Sequence, residues 1–312
     1  MLKRRIFIIA LIVISVAAVV ALPFIDGVDQ RQESARVDED RIVVIRFSGT
    51  IQEEVGGGLF AVGGITPNQV YRQLERAKED PAIEGVILRV ESPGGSIAAS
   101  QSIASMVRDF SKPIVVSMAD MAASGGYYIS APAQGIVAHP GTLTGSIGVI
   151  NQFTDLEGLY DKLGIEVETI KSGEHKDMFS RELTDKEREL MQDLSDEAYA
   201  QFIAEVAEGR DMDPAEVREV ATGELFIGSH AKELGLVDRL GGIEEAIDYL
   251  AEMNDLQDPV RHEFPPPPIF AQFFDYGFSV LTTLERTFIA PEIVFFEKVK
   301  EGAPPDIRYQ VQ

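Results

Sequence analysis

Apolar residues come in two kinds of run once the chain passes residue 40. "RIVVIRFSG" (41–49), "EGVILRVES" (84–92) and "KPIVVSMAD" (112–120) are β-branched and nearly continuous, the pattern of strands buried on both faces rather than on one. Between them the spacing changes. "TPNQVYRQLERAKED" (66–80) opens with Thr66 as an N-cap and Pro67 at the first helical position, and "GSIAASQSIASMVRDF" (95–110) has helical spacing. Strands alternating with helices predict an α/β fold with a largely parallel sheet. Further on, "GIVAHPGTLTGSIGVINQF" (135–153) reads as short strands joined by glycine turns, and "IEVETIKSG" (165–173) as another strand. A long helix is expected from Thr184 to Arg210, followed by helices at 213–222, 229–236 and 242–254.

The two ends have a different character. Behind "MLKRR" lies an unbroken apolar run from Ile6 to Leu22, extended by Pro23, Phe24 and Ile25 toward the ~20 residues that span a bilayer. A cleaved signal peptide has a shorter apolar core, so residues 1–25 are expected to be a basic n-region and an uncleaved transmembrane signal anchor, with the membrane contacted through residues 6–25. Basic residues before the span and acidic ones after it keep the N-terminus cytoplasmic. The expected location is therefore the cell membrane, single-pass, with the body of the protein in the periplasm or at the outer surface. Residues 26–40 read as a polar tether, 41–255 as the folded domain and 256–312 as a Pro- and Phe-rich tail.

Composition narrows the chemistry. The chain has 312 residues, a formal net charge of −23 and no cysteine. Thiolate metal sites, cysteine nucleophiles and disulfides are excluded. A nucleic-acid partner is not expected, because neutralising a phosphate backbone needs clustered Lys and Arg. The glycine-rich "GGGLFAVGG" (56–64) lacks the Lys-Ser/Thr ending of a phosphate loop and reads as a loop only.

Three glycine-rich turns follow strands: "SPGGS" (92–96), "ASGGYY" (123–128) and "TGSIG" (144–148). Such turns expose backbone N–H groups, which is what an oxyanion hole requires. Ser124 stands at a strand-to-helix junction, with the Gly125 N–H as one donor and the Gly94–Gly95 turn as the source of a second. A serine before two glycines also reads as a helix N-cap, and SPGG is a good turn sequence in its own right.

A serine nucleophile needs a base. Of the four histidines, His139, His230 and His262 lie in a turn, a helix and the tail, which leaves His175 in "SGEHKDMFS" (172–180). The same stretch holds Lys176. A lysine serves as base when desolvation favours its neutral form, and a lone lysine is otherwise a solvated surface charge.

The "SPGG", "MAASGGYYIS", "TLTGSIGVI" and "SGEHKD" blocks, in this order behind an N-terminal anchor, resemble the S49 serine peptidases in their short, single-repeat form, signal peptide peptidase A. The resemblance covers roughly residues 41–255. It implies a ClpP/crotonase-like α/β fold, Ser124 as nucleophile, Lys176 as general base in place of His175, and Ser146 orienting the lysine amine. It further implies a homo-oligomeric ring whose active sites are shared between subunits, hydrophobic signal peptides as substrates, and no cofactor or metal. A related S49 peptidase of stomatin-like membrane proteins and a non-catalytic crotonase-like scaffold are the competing readings. The 52-residue interval from Ser124 to Lys176 and the anchor favour the first.

Overall fold

The computed structural model describes residues 41–54 and 64–264. The expected anchor (6–25), the tether (26–40), most of the 56–64 loop and the tail from 265 onward lie outside the described residues. Among the described residues no helix is long and apolar enough to cross a membrane.

The chain runs β1 (Arg41–Ser48), β2 (Thr50–Ile51), β3 (Gly64–Ile65), α1 (Pro67–Glu79), β4 (Ile83–Ser92), α2 (Ile97–Arg108), β5 (Ile114–Ala123), α3 (Gly125–Tyr128), β6 (Gly135–Ala138) and β7 (Leu143–Gly145). Then follow α4 (Glu157–Leu163), α5 (Asp185–Arg210), α6 (Pro214–Val220), β8 (Leu225–Ile227), α7 (Gly228–Glu233), β9 (Arg239–Leu240), α8 (Ile243–Met253) and β10 (Val260–Glu263). The main sheet has the order β10-β1-β4-β5-β6-β9, all parallel. The end of β5 also pairs in parallel with β7, which pairs antiparallel with β8. The expected α/β class with a largely parallel sheet is the architecture observed.

Both faces of the sheet are covered, which explains why its central strands are continuous apolar runs. On one face Ile42, Val44, Ile87, Val115 and Val137 pack against Ala246, Ile247 and Leu250 of α8. On the other, Val43, Ile45, Val86, Leu88, Val116 and Met118 join the larger core formed with α1, α2 and α5. The sequence cue at the start of α1 acts as anticipated: the Thr66 side chain accepts from the Gln69 N–H at 3.2 Å with Pro67 behind it. At the start of α5 the structure adds a reciprocal capping box between Thr184 and Glu187.

Three local features depart from the sequence reading. Residues 165–173 are not a strand; Ile165, Val167 and Ile170 are 48, 64 and 92% exposed. Their alternation is real, but a strand exists only where a neighbouring strand accepts its hydrogen bonds, and no strand pairs with this stretch among the described residues. Just ahead of it, α4 forms without having been anticipated. At the other end β10 pairs with β1 from Arg41↔Val260 to Val44↔Glu263, so the sheet continues into sequence that reads as tail.

Candidate active site

The site is assembled where β5 ends. β5 and β7 are parallel and in register at Ala123↔Gly145, so the next residue of each strand, Ser124 and Ser146, emerges side by side at the same sheet edge. The Ser124 N–H donates to the Gly145 carbonyl at 2.9 Å, and the Ser146 N–H to the Glu224 carbonyl at 2.7 Å. Both serines have positive φ, 52° and 49°. This left-handed region is uncommon for a residue with a Cβ and costs of order 1–3 kcal/mol. Just before Ser146, at the end of β7, Gly145 sits at φ 77°, and a Cβ there would lie 2.6 Å from the Phe226 ring.

Ser124 occupies the N-cap position of α3, and its carbonyl accepts from the Tyr128 N–H at 2.9 Å. Its side chain makes no capping hydrogen bond. The serine therefore sits at the capping position without capping the helix through its side chain, and together with Ser146 it lines a cleft of about 590 Å³. The short helix behind it is held rigidly. Tyr127, fully buried, donates its hydroxyl to the Leu236 carbonyl at 3.0 Å, and burial drives its phenol pKa well above the usual range. Tyr128 packs its ring 4.9 Å from that of Phe202 in α5.

The glycine turns close in from the opposite side. Gly94 (φ 105°) passes so near Ser124 that a Cβ on it would lie 2.8 Å from the Ser124 Cβ and 2.7 Å from the Gly125 nitrogen. Only glycine fits this approach. The Gly94 N–H is engaged, donating to the buried Ser92 hydroxyl at 3.1 Å, and that hydroxyl donates in turn to the Gly49 carbonyl at 2.7 Å. The N–H groups of Gly95 and Gly125 have no acceptor among the described residues. Gly95 nitrogen is 3.2 Å from the position of a Cβ on Gly125, so the two free donors adjoin. Of the Gly94–Gly95 turn, Gly95 thus carries the unengaged N–H among the described residues, and Gly94 supplies the space.

The far wall of the cleft comes from α5, through Gln192, Asp196 and Tyr199, and from the Ala221–Gly223 turn. The Tyr199 hydroxyl donates to the Ala221 carbonyl at 2.7 Å and ties these two parts together. Sequence reading missed this wall. The helix itself is expected from Thr184 onward, but no local signal tells which helix faces the serines.

Lys176 is placed elsewhere. It is exposed, in the turn-rich stretch between residues 172 and 180, and is not among the residues lining the cleft of Ser124 and Ser146. Among the described residues no carboxylate lies within ion-pair distance of its amine, whereas the nearby Lys171 pairs with Asp177 at 2.6 Å and Lys186 with Glu174 at 3.3 Å. His175 is committed to structure: its Nδ1 is 3.0 Å from a Glu187 carboxylate oxygen. Arg181, aided by Lys171, lowers the Asp177 carboxyl to about 2. Arg181 and then His175 likewise hold Glu187 well below the usual carboxylate range. Among the described residues no group of His, Asp or Glu is arranged to hold a metal ion.

A strained serine at a strand-to-helix turn, backed by two unengaged backbone N–H groups, is the arrangement of a serine hydrolase on an α/β sheet. Comparison with known proteins agrees and is more specific. The Peptidase family S49 model matches residues 107–257. A protein bearing the name signal peptide peptidase SppA, from Enterococcus faecium, is 39% identical over 229 residues, covering 72% of this chain and 67% of the relative. Protease slr0021 of Synechocystis sp. is 40% identical over 207 residues, 65% of this chain and 74% of the relative. Among solved structures, a serine-to-alanine mutant of the 1510-N membrane-bound stomatin-specific protease aligns with a TM-score of 0.50 at 15% identity, over 73% of this chain and 99% of that one. The last likeness concerns the fold alone. The chain belongs to peptidase family S49 and is a serine protease of the SppA type.

Proposed function

We propose that this protease cuts peptide bonds with a Ser124–Lys176 dyad completed between two copies of the chain, and that its substrates are the hydrophobic signal peptides left in the membrane after secretion. The observation that carries the reading is the pairing of β5 with β7, which sets Ser124 and Ser146 together in one cleft. Lys176 lies outside that cleft with no acidic partner among the described residues. An amine seated in the cleft of a neighbouring copy would be desolvated, which favours the neutral form a base needs, and Ser146 would hydrogen-bond and orient it.

The neutral amine takes the proton of the Ser124 hydroxyl as Oγ attacks the scissile carbonyl carbon. The resulting oxyanion is met by the N–H groups of Gly125 and Gly95. Lys176, now an ammonium, returns the proton to the leaving amine, and the acyl-enzyme is hydrolysed by water through the same exchange. No cofactor enters these steps.

Association of copies is supported by the apolar surface around the lysine segment, where Ile150, Leu159, Leu163, Val167, Ile170 and Phe179 are exposed. So large a set of exposed apolar residues in one segment is what an unpaired interface presents. The N-terminal segment supports attachment to the cell membrane with the N-terminus cytoplasmic and the catalytic domain periplasmic or extracellular, beside substrates of that character. The acidic chain, at an overall net charge of −23, complements the basic n-region of a signal peptide.

The test uses the full chain in detergent with a synthetic signal peptide. Ser124→Ala and Lys176→Ala should each abolish cleavage, whereas His175→Ala should lower it without abolishing it. Mixed in equal amounts and allowed to exchange subunits, the two inactive variants should recover about one quarter of wild-type activity, the fraction of randomly formed interfaces with both groups intact. Loss of activity in His175→Ala with retention in Lys176→Ala would overturn the dyad. Absence of recovery on mixing would place both groups in one copy. Cleavage of a stomatin-like membrane protein but not of signal peptides would overturn the substrate assignment.

A further inference from the structure

We propose that Glu187 is a positioning residue for Lys176: it locks the turn carrying the lysine onto the first turn of α5, the helix whose following turns wall the serine cleft. The inference rests on the Ser124–Lys176 reading above.

Glu187 is a carboxylate with 1% exposure in a part of the protein that is otherwise largely solvent-facing. A buried carboxylate is tolerable only when its oxygens are fully hydrogen-bonded, and here they are. Oε2 accepts from the Thr184 N–H and hydroxyl and from Arg181 Nη1, each at 2.9 Å. Oε1 accepts from Arg181 Nη2 at 2.9 Å and lies 3.0 Å from His175 Nδ1. A capping box requires one carboxylate oxygen on the N-cap N–H. The second oxygen, and the bidentate arginine, are not needed for capping the helix. They tie the helix to the 172–180 turn.

The ties fall on both sides of Lys176. Its predecessor His175 meets Glu187 directly. Its successor Asp177 is reached through Arg181, whose Nε and Nη2 donate to the Asp177 carboxylate at 3.1 and 3.0 Å, while Nη1 and Nη2 also hold Glu187 and Nη1 donates to the Glu182 carbonyl at 2.9 Å. Lys171 adds a further clamp on Asp177 at 2.6 Å. Next along the chain, the Met178 side chain is buried. With both neighbours fixed, the direction in which Lys176 leaves the backbone is set. Its stem passes over Gly173, at φ 104°, where a Cβ would lie 3.1 Å from Lys176 Cγ. The same turn of α5 leads within three further turns to Gln192 and Asp196 in the cleft wall. One carboxylate therefore joins the segment that offers the base to the helix that shapes the serine cleft.

Glu187→Gln separates positioning from capping, because the amide oxygen can still accept from Thr184 while the second acceptor is lost. In the full chain it should lower kcat by about 100-fold, the cost of misplacing a reacting group by roughly an ångström, with KM within about twofold. Thr184→Ala, which removes the capping hydroxyl and leaves Arg181 and His175 in place, should lower the melting temperature and keep kcat.

The decisive comparison is the rate at which a fluorophosphonate labels Ser124. Glu187→Gln should slow labelling in the native background and add nothing to Lys176→Ala, since a residue acting only through the lysine has no effect once the lysine is gone. Unchanged kcat in Glu187→Gln, or equal slowing with and without Lys176, would overturn the proposal and leave the dyad standing. Full activity in Lys176→Ala would overturn the dyad and this proposal together. If Glu187→Gln does not fold, Arg181→Gln, which unties Asp177 and leaves the Thr184 and His175 contacts, carries the same comparison.

Discussion

Gly94→Ala should stop catalysis in a protein that remains folded. The added Cβ would sit 2.7 Å from the Gly125 nitrogen, 2.8 Å from the Ser124 Cβ and 3.1 Å from the Ala123 carbonyl oxygen. None of these is the free end of a flexible side chain, so relief has to come from the backbone of the strand-to-helix turn itself. Forcing a non-glycine residue to φ 105° costs about 1–3 kcal/mol. That is small against the ~5–15 kcal/mol that holds a domain together, so the sheet should survive. The displaced atoms, however, belong to the proposed nucleophile and to one of the proposed oxyanion donors. Loss of one such donor costs about 100- to 1,000-fold in kcat. The assay is signal-peptide cleavage by the full chain alongside thermal unfolding, with Gly141→Ala as control because a Cβ there meets nothing within 4 Å. A Gly94→Ala protein that melts within a few degrees of wild type and cleaves within about threefold of it would refute the close-approach argument and the oxyanion assignment built on it.

Two other outcomes follow from contacts near the site. Tyr127→Phe removes the hydroxyl that donates to the Leu236 carbonyl at 3.0 Å and leaves that buried carbonyl unpaired. It should cost about 1–3 kcal/mol in denaturant unfolding, and an unchanged midpoint would show that water or backbone movement replaces the bond. Acid should loosen the lysine turn: Arg181 and Lys171 hold Asp177 at about 2, below its unfolded value of roughly 4. The contribution is complete above about pH 4 and is lost as pH falls toward about 2. Limited proteolysis within residues 172–180 should rise across that window, and Asp177→Asn should show high cleavage already at neutral pH.

The proposed splitting of nucleophile and base between copies has a physical consequence. An isolated copy has the strained serine and the unengaged backbone N–H groups but no lysine lining the cleft, so on that proposal activity requires association. The rigidity of each half then matters more than its proximity within one chain. On one side it is supplied by β5, β7 and the packed α3. On the other the charge network around Glu187 supplies it.

How much of this could be read beforehand depends on the range of the forces involved. The continuous β-branched runs of β1, β4 and β5, the Thr66-Pro67 start of α1, and the Thr184 start of α5 are local signals, and each element stands where its residues place it. Ser124 between Ala123 and Gly125, and the proximity of Gly94, were legible because small residues in a strand-to-helix turn have few other uses. The segment 165–173 misled because its alternation is a statement about side chains, whereas a strand is decided by a partner for its backbone. β10 was hidden for the converse reason: "VRHE" has weak apolar character and becomes a strand only because β1 has a free edge beside it. The chain by itself therefore determined the parallel α/β class, the helix caps and the turns rich in unblocked N–H groups, all of which depend on residues a few positions apart. The tertiary structure alone decided that Ser146 stands beside Ser124, that among the described residues Gly95 rather than Gly94 has the free donor, that His175 is bound to Glu187 while Lys176 has no acidic partner among them, and that α5 walls the cleft. Those facts depend on strand register and on hydrogen bonds between distant segments, which no local pattern encodes.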